Sequence, residues 1–242
     1  MGTSNQVDDP VLRTLRDHVL DPLTTAEEVV EAEYAEVEAE RRAFAQFSDR
    51  IAGIETVSME RGDPGRPQTV VDPSTQRVER LRSAFRETVM SVDHYEERYG
   101  EPLVAHVVGE LSADVATGFR RESAAPFTQF YKTALSNAVD TAIGGRALLC
   151  DHLDAERASL ETSHETFTDL LDDAGGPGDP TRLRGDFETT LDDLAGSRQA
   201  LIQRRDPMSR TDGHELCAYL YREPDWTYPV LTAVTRFRTA VG

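Results

Sequence analysis

The stretch "FTQFYKTALSNAVDTAIGGRALLCDHLDAERASLETSHETFTDLLD" (127–172) decides the fold. Leu135, Val139, Ala142, Leu149, Leu153, Leu160, Phe167 and Leu170 follow alternating steps of three and four, the spacing of one α-helical face. Two slots of that series, Arg146 and Glu156, are charged. Pro126 opens the element, and an unbroken helix of this length measures roughly 69 Å. Gly144-Gly145 interrupts it at a cost of about 1 kcal/mol per glycine relative to alanine. The doublet predicts either a closely packed neighbouring backbone or a bend.

Working outward, "AGGPGDP" (174–180) is a turn, and 181–205 returns as a helix with Leu183, Phe187, Leu191, Leu194, Leu201 and Ile202 on one side. Two long amphipathic helices joined so tightly are expected to lie antiparallel. A short amphipathic segment, "VLRTLRDHVL", precedes a third long helix at 25–55, about 46 Å in length, with Thr25 and Glu28 as its capping box. Its stripe is Val30, Val37, Phe44 and Ile51, widened by Tyr34, Phe47 and Ile54. The expected fold is all-α, an antiparallel three-helix coiled-coil-like stalk carrying a compact helical head.

The head is read from shorter elements. "MERGDPGRPQ" (59–68) is a loop, after which Asp72 caps a helix with Pro73 at its first position. Asp93 with Glu96 forms another capping box, Gly100 stops that turn, Pro102 begins "LVAHVVGEL", and Ser112 caps "ADVATGF". Near the C-terminus come "HELCAYLY" and "WTYPVLTAVTRF", with Pro229 tolerated in the first helical turn. Trp226, the only tryptophan, with Tyr219, Tyr221 and Tyr228, is the expected structural anchor that fastens the last two helices onto 73–120. The resulting division is an N-terminal segment 1–24, a stalk of 25–56 with 126–205, and a head of 72–125 with 206–242.

Forty-four acidic residues face 26 basic ones, a formal charge of −18, and Lys132 is the only lysine. That balance resembles the cytoplasmic proteins of salt-loving archaea. At about 1 M salt the Debye length is about 3 Å, so self-repulsion among carboxylates is screened. Cys150 and Cys217 have no CxxC spacing and read as small buried hydrophobes in a reducing compartment. The first residues lack the basic and apolar regions of a signal peptide, and no run approaches about 18 apolar residues. The expectation is a cytoplasmic protein without a membrane partner.

Three blocks carry a resemblance: "RETVMSVDHYEERYGEPL" (86–103), "FTQFYKTAL" (127–135) and "LCAYLYREPDWTYPVL" (216–231). They resemble a family of small helical haloarchaeal proteins known only as a domain of unknown function, over about residue 25 to the C-terminus. The resemblance implies an archaeal cytoplasmic origin and an all-helical fold. It brings no catalytic residues.

Three constellations bear on chemistry. Glu161-x-x-His164 has the half-site spacing of di-iron carboxylate bundles, but no other histidine has a glutamate three residues before it. "RALLCDH" (146–152) loosely resembles the Arg-x(4–6)-His motif of HEPN-type ribonucleases, where both residues act on an RNA phosphodiester; here alanine follows Arg146 in place of the usual polar residue. On a continuous helix Arg146 and His152 lie about 120° apart, so they converge only through a bend or a second subunit. "PLVAHVVGELSADVATGFRR" (102–121) has a helix–turn–helix outline, yet Asp114, Ala116, Thr117 and Gly118 make a poor reading surface for a DNA groove. No P-loop, nucleophile elbow, dinucleotide fingerprint or zinc spacing occurs.

With long stripes and no convergent polar cluster in view, the expected function is a non-enzymatic scaffold or protein-interaction protein, without cofactor. Its partner is another protein or a second copy, engaged through the stalk. The rival expectations are a nucleic-acid-binding regulator using 102–121 and a HEPN-like ribonuclease using Arg146 and His152.

Overall fold

The computed structural model describes residues 10–56, 73–120, 127–174, 180–204 and 213–241, and every regular element among them is helical. In chain order these are α1 (Pro10–Ala52), α2 (Pro73–Arg86), α3 (Tyr95–Arg98), α4 (Leu103–Glu110), α5 (Ala113–Ala116), α6 (Gln129–Ala174), α7 (Pro180–Gln203), α8 (Gly213–Leu220) and α9 (Pro229–Val241). Single 3-10 turns occupy Val89–Ser91 and Thr117–Phe119. No described helix is long and apolar enough to cross a membrane.

α1 corrects the expected boundary at Thr25. The segment 11–20 and the 25–55 helix are one element, because Val19, Leu23, Ala26 and Val30 continue the apolar stripe backwards in steps of four, three and four, all of them buried. Thr25 and Glu28 therefore sit inside the helix and cap nothing. Pro22 also lies inside it and removes the amide that would bond the His18 carbonyl. Arg236 of α9 donates to that same carbonyl at 2.9 Å, so the acceptor freed by the proline is satisfied from another helix.

α6 runs unbroken through Gly144 and Gly145, and a Cβ on either glycine would meet nothing within 4 Å. The expected close backbone is absent at the doublet, and the helix is not interrupted there. Gly118 is the opposite case: a Cβ there would fall 2.3 Å from the Tyr131 ring, whose hydroxyl donates to the Val115 carbonyl at 2.6 Å. Ser112 caps α5 as expected, its hydroxyl accepting from the Val115 amide at 3.2 Å.

The chain divides into two compact units, Met1–Tyr34 with Asp151–Gly242, and Ala35–Cys150. In the first unit α1 and α6 run antiparallel: Arg16 pairs with Asp172, and Glu27 with His164. Phe167 of α6, Phe187 of α7 and Phe237 of α9 form its aromatic centre, with Phe237 6.0 Å from the first ring and 5.7 Å from the second. In the second unit Phe44, Phe47, Leu81, Phe85, Val107, Phe119, Leu135 and Val139 share one core, and Phe47 meets Phe85 edge-on at 5.0 Å. There Lys132 of α6 caps the end of α1, donating to the carbonyls of Ala52 at 2.8 Å and Ile54 at 2.9 Å.

This division differs from the one expected, which grouped 72–125 with 206–242. α8 and α9 belong to the first unit and α2 to α5 to the second. Phe237 explains the difference, since it completes an aromatic cluster begun by α6 and α7. Of the expected anchor residues, Tyr221 is buried and the half-buried Trp226 packs on it at 5.6 Å, both within the first unit.

Candidate functional site

Both charged slots of the α6 stripe are centres of polar clusters, one in each unit. In the second unit Arg146 lies over the Phe44 ring, 4.4 Å from its centroid, a cation–π contact that covers one guanidinium face. Its Nε donates to Glu40 at 2.8 Å and an Nη to Glu110 at 2.8 Å. Glu40 occupies the helical slot between Val37 and Phe44 on α1, and also receives the Tyr99 hydroxyl at 2.7 Å and pairs with His94 at 3.0 Å.

The electrostatics follow from these bonds. Burial opposes ionisation of Glu40, but the Tyr99 hydrogen bond, the Arg146 charge and the bonds from His94 and Arg146 together hold it below the usual carboxylate range. Burial likewise opposes the charge on Arg146, and the Glu110 and Glu40 carboxylates more than offset it. Burial and the Glu40 acceptor push the Tyr99 phenol up, so it stays a donor. Beside them His106 is buried among the rings of Phe85, Tyr95 and Tyr99, and burial lowers its pKa against the pull of Glu110 and Glu101.

The cluster in the first unit is drier. Arg198 of α7 and Glu156 of α6 are 1% and 4% exposed and meet through two parallel bonds of 2.8 and 2.6 Å. Tyr221 of α8 donates to the same carboxylate at 2.6 Å, and Arg198 also reaches the Ser159 hydroxyl at 3.2 Å and the Cys217 sulfur at 3.5 Å. Burial, then the Glu156 charge, pushes the Cys217 thiol up to about 11, which makes it a poor nucleophile. The Arg198 Nε has no hydrogen-bond partner among the described residues.

The structure therefore corrects the expectation that no polar cluster converges. It brings Arg146 together with Glu40, Glu110, Tyr99 and His94, while His152 stands six residues further along the continuous α6, about 120° round a regular helix. His164 pairs with Glu27 at 3.1 Å, while Glu161 is exposed and lies 3.9 Å from Arg157. Among the described residues no group of three or more His, Cys, Asp or Glu side chains is arranged to hold a metal. In 102–121 the second helix is a four-residue turn followed by a 3-10 turn, with Val115, Ala116 and Phe119 buried, which leaves no multi-turn helix to enter a groove. Tyr219 donates to Glu33 at 2.7 Å, and Tyr228 contacts His214 at 3.0 Å.

Sequence reasoning missed Glu40, His94, Tyr99, Glu110 and Arg198. A signal existed for two of them. Arg198 fills the α7 slot between Leu194 and Leu201, and Glu40 its slot on α1, as Arg146 and Glu156 do on α6. A charge in an apolar series announces a buried partner without naming it.

Residues 21–242 match the family model described as a domain of unknown function (DUF7260), and the chain belongs to that family. No curated protein and no solved structure matches it.

Proposed function

We propose that this member of the DUF7260 family is a non-enzymatic helical scaffold or protein-interaction protein, working in the cytoplasm of a halophilic archaeon. In this reading α1, α6 and α7 serve as an antiparallel stalk through which a second copy or another protein is engaged. One observation supports it above the others: the polar groups that converge are spent on one another. Glu40 accepts from three side chains and Arg146 spans two carboxylates, while Glu156 takes both Arg198 Nη groups and the Tyr221 hydroxyl, with the Arg198 Nε left over. A catalytic group keeps a direction open toward its substrate. These instead join helices distant in sequence, which suits a part that must keep its shape under load.

Light scattering of the purified chain in 2 M KCl tests the reading, with a dimer or larger assembly expected. RNA cleavage that disappears in His152→Ala would replace it with the ribonuclease. A gel shift with DNA at the same salt would replace it with the regulator.

A further inference from the structure

Eight of the nine phenylalanines are at most 5% exposed, whereas Phe130, in the first turn of α6, is 85% exposed. It does not stand alone. At about 100° per residue, Phe130, Thr133, Asn137, Thr141 and Gly144 fall within about 80° of one another, on the side of α6 opposite the core residues Leu135 and Val139. All five are exposed and none is charged, in a chain whose residues are 29% charged. Thr133 and Thr141 donate their hydroxyls to their own helix, to the Gln129 carbonyl at 3.0 Å and the Asn137 carbonyl at 2.9 Å, so those donors are spent. A Cβ on Gly144 would meet nothing within 4 Å, so no contact inside the chain accounts for a glycine there.

The five positions are symmetric about Asn137. Phe130 and Gly144 lie seven residues to either side of it, and Thr133 and Thr141 lie four. A two-fold axis through Asn137, at right angles to α6, sets a second α6 antiparallel to the first. Phe130 is then level with Gly144, Thr133 with Thr141, and Asn137 with its own copy. The largest side chain of the face meets the position that has none, where glycine lets the other helix come close. Ala134 and Asp140, at the margins of the face, are level with each other too, so the exposed Asp140 carboxylate meets a methyl group and not its own copy. Charge favours the same occupant. Two chains of −18 repel, and they do so least where the meeting surfaces carry no acids.

We propose that the exposed face of α6 from Phe130 to Gly144 packs against the same face of a second copy of this chain, antiparallel about a two-fold axis at Asn137. The proposal rests on the interaction reading above and gives it a surface, a partner and a register. The contact contains no ion pair, so salt screens only the repulsion between the chains. Self-association therefore strengthens from about 0.05 M toward about 1 M KCl. Four turns of one helix make a small interface, and the dissociation constant is expected on the order of micromolar.

Sedimentation in 2 M KCl, at up to about 100 μM chain, reads the association. Phe130→Ser changes an exposed side chain and Gly144→Leu places a better helix former in open space, so both variants keep their fold, and each weakens the dimer tenfold or more. Circular dichroism at the same salt checks that they are folded. Cross-linking reads the register. A short bismaleimide joins two copies of Asn137→Cys but not of Gln129→Cys, whose positions stand about 24 Å apart in this arrangement. The chain's own Cys150 and Cys217 are buried and do not compete. A wild-type dimer unchanged in both variants, or Gln129→Cys joined as readily as Asn137→Cys, overturns the assigned face and leaves the scaffold reading standing. A wild-type monomer at every concentration overturns the proposal and removes the second copy from that reading. If Phe130→Ser then also melts lower, the face belongs to the chain's own segments, which overturns the proposal as well.

Discussion

Glu156 and Arg198 illustrate how one charge inside an apolar stripe is tolerated. Their bidentate pair and the Tyr221 hydroxyl offset the cost of drying both ions, but only while the set is complete. Glu156→Gln leaves the buried Arg198 guanidinium without its counter-charge, and we expect a loss of about 3–5 kcal/mol in urea unfolding at fixed KCl. Glu156→Leu/Arg198→Met, which removes both charges, should fall far closer to wild type. A loss below about 1 kcal/mol in Glu156→Gln would show that the pair is not dry. His106 supplies the pH dependence. Burial holds it below its ordinary 6.5, so the unfolded chain takes up a proton that the folded chain refuses. Stability is then complete above about pH 6.5 and falls as the pH drops through that value toward the lower folded pKa, by at most about 1.4 kcal/mol per pH unit. Glu101, Glu110 and Glu40 draw the proton in and Arg146 opposes it. His106→Phe keeps the ring packing against Phe85, Tyr95 and Tyr99 and should flatten the slope between pH 6.5 and 5. The Glu40 carboxylate, held low, adds its own loss only below its ordinary 4.5.

Among the elements, α6 was the most legible, since alternating threes and fours from Leu135 to Leu170 leave no other reading. Its glycine doublet was not. Sequence shows that Gly144 and Gly145 cost helix stability but not whether packing requires them, and the open space around both says it does not. Gly144→Ala/Gly145→Ala should therefore raise stability by about 1–2 kcal/mol, moving Tm upward by several degrees. A drop in Tm would mean that α6 has to bend there. The false start at Thr25 has a different cause. Thr-x-x-Glu is a capping box only where a helix begins, and a glutamate-rich helix meets the pattern by chance. The acceptor freed by Pro22 is satisfied by Arg236, more than two hundred residues away, and no local rule could have found that donor.

At the scale of the whole molecule, sequence located the apolar faces and could not say which face each one meets. Phe237 and Tyr221 are both buried, and within their own unit they meet Phe167, Phe187 and Glu156 of α6 and α7. Charge is simpler to read because it sums. A chain of −18 should lose helix when KCl is lowered from molar to millimolar, as the Debye length grows from about 3 Å at 1 M to about 30 Å at 0.01 M. Far-UV circular dichroism along that titration measures it, and a flat trace would show that packing outweighs the self-repulsion.

One unit is interrupted by the other: Met1–Tyr34 is completed only by Asp151–Gly242. On the ribosome, Val19, Leu23, Ala26 and Val30 emerge early, yet the rest of their unit is still untranslated. At ordinary elongation rates that face waits on the order of ten seconds for its partners. Through that interval the stretch from Val19 to Val30 is a greasy ribbon open to any passing chain, which makes it a place where a chaperone, or a misfolding mutation, has purchase.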